Sequence, residues 1–151
     1  MLRKSIVIGA FVTSAVVSST AALGASGYVS SRTVMRAGPD SGYPVVAQVR
    51  RGEGVELHSC LPDWTWCDVG FEGQRGWLRA DKILGETVSG RVPITQSGPR
   101  IGIEISGYNL DQYWDTNYNG RFDQDRGRWQ SYYHDRFRPS WSGSDRDEQR
   151  D

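Results

Sequence analysis

The sequence predicts an all-β fold, a small antiparallel barrel or sandwich, for residues 27–84. Short apolar runs alternate there with turn residues, so that about five strands fit into the segment. No part of the segment repeats its apolar residues at the spacing of an amphipathic helix. Both cysteines also lie in it, at Cys60 and Cys67. These observations favour several short strands joined by one disulfide.

The strands follow from apolar alternation and from the positions of glycine and proline. A strand is predicted at 45–49, after the turn residues of "GPDSGYP", and a second holds Val55 and Leu57 on one face. "WCDVGF" alternates at 67, 69 and 71, and a further strand spans 76–79. Apolar residues on one face of each strand would form the core of the barrel.

The two cysteines constrain the pleat of the sheet. Strict alternation from Leu57 turns Cys60 away from the core, whereas Cys67 shares the core-facing side with Val69. A disulfide therefore requires the pleat to be broken between His58 and Cys60, by a bulge or by the end of the strand. Closing this short loop is worth about 2.5 kcal/mol in chain entropy. A free reactive thiol is the alternative.

Residues 1–25 have the features of a secretory signal peptide. Arg3 and Lys4 precede an apolar run at 6–17, and a small-x-small cleavage site follows at 22–24. The run is short for a membrane span, although an uncleaved anchor is the alternative. We expect cleavage between residues 21 and 25, export to the periplasm, and no stable membrane span afterwards. Disulfides persist in such a compartment.

The charge balance argues against nucleic acid as a partner. Lysine and arginine number 18, as do aspartate and glutamate, and loss of the signal peptide changes the net charge from 0 to −2. No basic excess remains to attract nucleic acid or an anionic membrane. The length allows one small domain with an appendage.

Several short motifs stand in a fixed order between residues 28 and 84. They are "MRAGP", "YPVV", a glycine at 52 before the strand of Val55, a tryptophan at 64 or 66 before Val69, and "GWL" followed by "IL". In this order they resemble the bacterial SH3-type domain of exported cell-envelope proteins and cell-wall hydrolases. Thr33 and Val34 depart from the family, which usually shows leucine and asparagine there. The resemblance implies an SH3-like barrel that binds peptidoglycan, cell-wall peptides or protein partners and does not catalyse.

Aromatic side chains on a small barrel are candidates for a shallow groove that takes peptide or sugar. The candidate ligand-binding residues are Tyr43, Trp64, Trp66 and Trp77. Their alternative role is in the core, and Trp77, in an alternating strand, is mainly structural on that interpretation.

The sequence contains no pattern typical of an enzyme or of a zinc site. His58 and His134 are the only histidines, and no serine lies in a nucleophile motif. His58 is expected to face solvent in its strand. The sequence therefore predicts a protein that is not an enzyme and has no cofactor.

Residues 85–107 are rich in glycine, proline and small polar residues, which predicts a linker. Within it, "IGIEI" alternates and predicts one extra edge strand. Residues 108–151 are predicted to form a tail that is mostly disordered, or irregular with short helices. The tail has ten aromatic residues between 108 and 141, interleaved with arginine and aspartate, and "SGSDRDEQRD" at its end is predicted to be disordered.

The tail repeats the pattern W-x3-Y-x2-R-F. The first copy begins at Trp114 and the second at Trp129. Aromatic residues four positions apart share one face of a helix. Gly120 interrupts the first copy, so the second is the better helix candidate.

"DTNYNGRFDQD" in the first copy has part of the ligand spacing of a calcium loop. The candidate ligands are Asp115, Asn117, Asn119 and Asp123. Position 12 of the loop, which should carry a carboxylate, is Arg126, and Gly107 just upstream predicts that no helix precedes the loop. The second copy keeps the aromatic residues and loses the ligands. A solvated tail that docks on envelope material or protein is favoured over a metal site.

The leading hypothesis is a non-catalytic binding module of the cell envelope that recognises peptidoglycan or a peptide or protein ligand. The alternatives are a calcium-dependent module and an accessory domain of an envelope enzyme complex.

Overall fold

The computed structural model describes residues 25–137. The predicted signal peptide lies outside the described residues, apart from Ala25 at the start of the first strand. The predicted disorder of the last ten residues also falls outside them. Between residues 25 and 137, the helices are too short and polar to cross a membrane.

Nine strands of the described segment form one curled sheet. They are β1 Ala25–Val29, β2 Thr33–Arg36, β3 Val45–Val49, β4 Gly54–Cys60, β5 Trp66–Phe71, β6 Gln74–Arg79, β7 Ile83–Thr87, β8 Gly90–Pro93 and β9 Glu104–Ile105. Their order in the sheet is β3-β2-β6-β5-β4-β1-β7-β8, and β9 pairs with β4 in parallel beyond the end of β1. The sequence predicts an all-β barrel, and the structure is mostly β, with a curled sheet that we call the barrel.

The core lies inside the curl of the sheet. Met35, Leu57, Val69, Leu78 and Ile83 each have at most 1% of their surface exposed. Alternation places these side chains on the concave face, and burying each of them contributes about 1.5 to 3 kcal/mol.

The predicted disulfide and the predicted break in the pleat are both confirmed. Cys60 and Cys67 are bonded, are fully buried and pair directly across β4 and β5. The register shifts between Leu57 and Ser59, which leaves His58 as an extra residue in β4. This bulge turns Cys60 to the same side as Cys67.

Residues 85–107 contain more regular structure than the predicted linker. β7 continues to Thr87 and forms a hairpin with β8, and a single helical turn, α1 Ile94–Ser97, follows. Ile94 is fully buried, so this segment contributes a side chain to the core. The predicted edge strand lies at β9, where Glu104 and Ile105 pair with the end of β4.

The tail forms two helices, α2 Leu110–Asn117 and α3 Arg126–Phe137, joined through a 3-10 turn at Asp123–Asp125. Asn109 caps α2 by accepting a hydrogen bond from the backbone N–H of Gln112 at 3.0 Å. The first copy of the repeat leaves the helix after Asn117 and reaches Gly120, whose φ is +80°. The second copy lies within α3, the longer helix, as Gly120 led us to expect.

The described part of the tail packs on the barrel, which differs from the expected disorder. Trp114 has 1% of its surface exposed, and its Nε1 donates a hydrogen bond to the carbonyl oxygen of Ala37 at 2.8 Å. The Tyr108 hydroxyl donates to the same oxygen at 3.2 Å. The Tyr43 ring lies with its centroid 5.6 Å from both Tyr108 and Trp129. The aromatic seam is our name for the four rings and the alanine that make these contacts: Tyr43, Tyr108, Trp114, Trp129 and Ala37.

The aromatic seam explains how a tail poor in aliphatic residues finds a stable position. Aromatic rings bury large areas, and edge-to-face pairs contribute about 0.5 to 1.5 kcal/mol beyond that burial. The rings of Tyr43 and Tyr108 meet at an interplanar angle of 70°. Further out, the Tyr132 hydroxyl of α3 donates to the carboxylate of Asp40, on the turn before β3. The tail is therefore a second layer of the domain.

We expect Trp114→Ala to lower the free energy of unfolding by about 3 to 5 kcal/mol, because it removes a buried ring and leaves the Ala37 carbonyl with one donor fewer. Denaturant unfolding measures the change. Ser131→Ala, on the exposed face of α3, is the control and should stay within about 0.5 kcal/mol of the wild type. A loss below about 1 kcal/mol for Trp114→Ala would contradict the packing of the tail on the barrel.

Candidate binding groove

Three of the four predicted ligand-binding aromatics are in the core, which corrects the expectation of an exposed aromatic groove. Tyr43 has 0%, Trp77 1% and Trp66 9% of its surface exposed. Trp64 is half-buried, with its ring against Gly98, where an added Cβ would lie 2.1 Å from the ring. Tyr43 and Trp77 are covered by the tail, whose docking the sequence did not predict.

Four clefts instead share lining residues with one another, and we call this set the polar groove. Its central cleft, of about 520 Å³, is lined by Tyr28, Glu56, His58, Gly70 and Arg75, among others. The cleft at one end, of about 450 Å³, shares the lining residues 71 and 72 with the central one.

On the opposite side, a cleft of about 580 Å³ shares His58 and Arg75 with the central one. The last cleft, of about 250 Å³, shares Asp68 and Arg75 with the cleft of about 580 Å³ and reaches helix α2. Arg75 lines three of the four clefts and marks the point where they meet.

Arg75 is held in place by a buried carboxylate. Its Nε donates to Asp68 Oδ1 at 3.2 Å and its Nη2 to Asp68 Oδ2. Asp68 has 5% of its surface exposed. The Tyr113 hydroxyl of α2 donates to Asp68 Oδ1 at 2.6 Å. Within residues 25–137, Arg75 Nη1 makes no hydrogen bond, so its donors are available to a ligand.

The electrostatics keep Tyr113 a donor in this arrangement. Burial raises the pKa of Tyr113, and the negative charge of Asp68 raises it further. The phenol therefore stays protonated at neutral pH. Asp68 accepts from both Tyr113 and Arg75, so one carboxylate joins the tail to the groove.

His58 lines the central cleft because of the bulge in β4. Its side chain is 28% exposed, less than the solvent-facing position predicted for it, and its Nε2 lies 3.8 Å from Glu56 Oε2. This nitrogen is buried and makes no hydrogen bond to any residue between 25 and 137. Burial lowers the pKa of His58, and the charge of Arg75 lowers it further, although the carboxylates of Asp68 and Glu56 oppose the shift.

Gly70 keeps the central cleft open. It pairs with Glu56 in the sheet, and a Cβ added at Gly70 would lie 3.0 Å from Glu56 Oε2 and 3.2 Å from His58 Nε2. A larger residue would fill the space between these two side chains. Glycine within a strand often marks such a close approach.

The predicted calcium ligands are arranged around an arginine. Arg126 Nη2 donates to Asp115 Oδ1 at 2.5 Å, and Arg126 Nε lies 3.5 Å from Asp123 Oδ1. Asn117 uses its Nδ2 to donate to the carbonyl of Tyr113 at 2.9 Å. The side chain of Arg126 thus supplies positive charge where the loop would hold a metal ion.

Two further observations bear on this loop. Helix α2 enters it directly, which corrects the expectation that no helix precedes it. Asn119 adopts a φ of +41° in the turn that follows α2. Over the described range 25–137, no cluster of three or more histidine, cysteine, aspartate or glutamate side chains has the geometry of a metal site.

The comparison with protein families gives a match within the barrel. Residues 31–83 match the family model of the bacterial SH3 domain. The bacterial SH3 domain match begins between β1 and β2 and ends at the first residue of β7, which confirms the resemblance seen in the sequence. The tail helices lie outside the match. No curated protein and no solved structure matches the chain.

Sequence reasoning missed the pair at the centre of the groove. Asp68 and Arg75 are diagonal neighbours, since Gly70 pairs with Arg75 and Asp68 with Trp77 across β5 and β6. The signal was an aspartate and an arginine on either side of one predicted turn, at positions that alternation sends to the same face of the hairpin, opposite Val69. Asn109 was also missed, although asparagine three residues before glutamine is a helix-start signal.

We expect millimolar calcium to leave the Tm unchanged, because the Arg126 guanidinium already lies among the carboxylates of the loop. A site with a dissociation constant one hundredth of the calcium concentration would add about 2.7 kcal/mol of stability. Differential scanning fluorimetry with calcium and with a chelator measures the effect. Arg126→Glu, which restores a carboxylate at position 12, is the comparison variant. A rise in the Tm of the wild type would show that the loop binds the metal.

We expect the bulged histidine to make the protein less stable at pH 5 than at pH 7. The unfolded chain takes up a proton at His58 near pH 6.5, whereas the folded chain, with its lowered pKa, takes it up only at lower pH. Stability is therefore lost as pH falls from about 6.5 towards the folded pKa. His58→Gln should flatten this part of the curve in urea unfolding, and His134→Gln, exposed on α3, should not. If the free energy of unfolding changes with pH equally in His58→Gln and in the wild type, His58 is not the cause of the loss of stability.

Proposed function

We propose that this chain is a non-catalytic binding module of the cell envelope, exported to the periplasm, which recognises peptidoglycan along the polar groove. The match to the bacterial SH3 domain supports a binding role. The observation that carries the proposal is Arg75, fixed by Asp68 and Tyr113 with its Nη1 donors available at the junction of three clefts. Such a rigid donor binds a ligand at little cost in side-chain entropy.

The shape of the groove favours a linear ligand. Its four clefts follow one another and are joined by shared lining residues, from the end that contains Arg32 and Arg50 to helix α2. A compact ligand would occupy one of these clefts, whereas a polymer can lie along several. The polymer of the cell wall has this extended form.

The charges along the groove favour an amphoteric ligand. Arg32 and Arg50 line it together with Glu56 and Glu72. The stem peptides of peptidoglycan carry both amino and carboxylate groups, which can pair with these two kinds of side chain. Nothing in the pattern favours nucleic acid, which would require a clear basic excess.

Sedimentation with purified cell-wall sacculi tests the proposal. We expect the wild type to pellet with the sacculi and Gly70→Val, which fills the central cleft, to lose most of this binding. Val88→Thr, fully exposed on the β7–β8 turn outside the groove, is the matched control and should pellet like the wild type. Thermal denaturation checks that each variant is folded.

Two results would count against the proposal. If the wild type remains in the supernatant, peptidoglycan is not the ligand. If a folded Gly70→Val pellets as well as the wild type, the polar groove is not the binding site.

A further inference from the structure

We propose that the smallest cleft, between the barrel and α2, is a subsite for an uncharged sugar ring, so that the tail supplies part of the binding site. This inference rests on the proposed function, because the glycan strand is the saccharide part of peptidoglycan. It assigns that part of the polymer to one end of the groove and leaves the charged peptide to the centre.

The size of the cleft suits a single ring. Its volume is about 250 Å³, less than half that of the central cleft at about 520 Å³. Pockets for drug-sized ligands measure about 300 to 1,000 Å³, so this cleft takes a smaller group. It is bounded by β5 and β6 on one side and by α2 on the other.

The side chains that α2 presents to the cleft are polar and uncharged. Asn109, Gln112, Thr116 and Asn117 line it. Asn109 uses its Oδ1 as the helix cap and Asn117 uses its Nδ2 on the backbone, while Thr116 donates to the carbonyl of Gln112. In the part of the chain that the structure describes, the Gln112 amide, Asn109 Nδ2 and Asn117 Oδ1 make no hydrogen bond and remain for a ligand.

These groups match the chemistry of a sugar. A hydroxyl group both donates and accepts, and an amide offers one of each, so the two pair without any net charge. On the barrel side, Asp68 and Arg75 neutralise each other through two hydrogen bonds. An anionic or cationic ligand group would gain little electrostatic binding energy in this cleft. A neutral ligand group does not depend on such a gain.

Aromatic surface completes the subsite. Tyr113 lines the cleft and is half-buried, so part of its ring is open to a ligand, whereas Trp77 lies behind it with its ring centroid 5.8 Å away and is almost fully buried. The apolar face of a sugar ring packs on such surfaces, while its hydroxyls reach the amides around it. Arg75 lines the same cleft, where an acetamido carbonyl can accept a hydrogen bond from its guanidinium group.

Tyr113 has a second role, as a positioning residue. Its hydroxyl donates to Asp68, and Asp68 in turn fixes Arg75. Helix α2 is therefore coupled to the central cleft through one carboxylate. Removing the tail would remove one wall of the subsite and would also take one hydrogen bond from Asp68, the residue that holds Arg75.

The inference is tested by titrating the full exported chain with soluble N-acetylglucosamine tetramer and recording the NMR spectrum of the protein at each step. This probe is uncharged and carries no peptide. We expect saturable shifts at α2 and at the Trp77 indole N–H. Gln112→Ala should weaken binding about three- to tenfold, the value of one or two neutral hydrogen bonds.

A filling variant and a matched control sharpen the result. Gly107 lines the cleft, and a Cβ added there meets no heavy atom within 4 Å, so Gly107→Leu should block the sugar without disturbing the fold. Gln124→Ala removes an exposed amide on the turn before α3 and should bind the tetramer like the wild type.

The outcomes separate this inference from the function on which it rests. If the wild type pellets with sacculi but shows no shifts with millimolar tetramer, the sugar subsite is wrong and the proposed function stands. If Gln112→Ala and Gly107→Leu bind the tetramer as tightly as the wild type, the subsite is also wrong. If the tetramer binds and these variants weaken it while sacculi do not pellet the protein, the subsite holds and peptidoglycan is not its source.

Discussion

The carbonyl oxygen of Ala37 is the point on which the two layers of this domain depend. It accepts hydrogen bonds from Trp114 Nε1 and from the Tyr108 hydroxyl, and both donors belong to the tail. The tail covers this carbonyl, and because a buried carbonyl without partners costs about 1 to 3 kcal/mol, the two donors offset the cost of removing it from water. The two bonds fix the location of α2, and α2 then places Tyr113 against Asp68.

Local patterns were enough to predict the barrel. Alternation located the strands, and the parity of Leu57, Cys60 and Cys67 required a break in the pleat, which the structure has at His58. These features depend on residues that are close in sequence or directly paired. The disulfide was predictable for the same reason, since it joins neighbouring strands of one hairpin.

The tail and the groove depend on contacts that no local pattern records. Aliphatic residues are the usual sign of a packed segment, and the tail replaces them with rings whose partners, Tyr43 and Ala37, lie far away in the sequence. The groove depends on the register of β5 and β6, which brings Asp68 and Arg75 together. Tyr43 and Trp77 were predicted as candidate ligand-binding residues, but the tail covers them, so polar side chains line the open surface.

The contacts that seal the domain join residues that are far apart in the chain. Trp114 meets Ala37 across 77 positions, and Tyr132 meets Asp40 across 92. Chains emerge from the ribosome with the N-terminal end first, and distant contacts form late in folding. The face that holds Tyr43 and Trp77 therefore stays exposed to solvent until the helices of the tail have docked. During that interval this apolar face is available to other chains, which makes rapid docking of α2 and α3 a requirement for escape from aggregation.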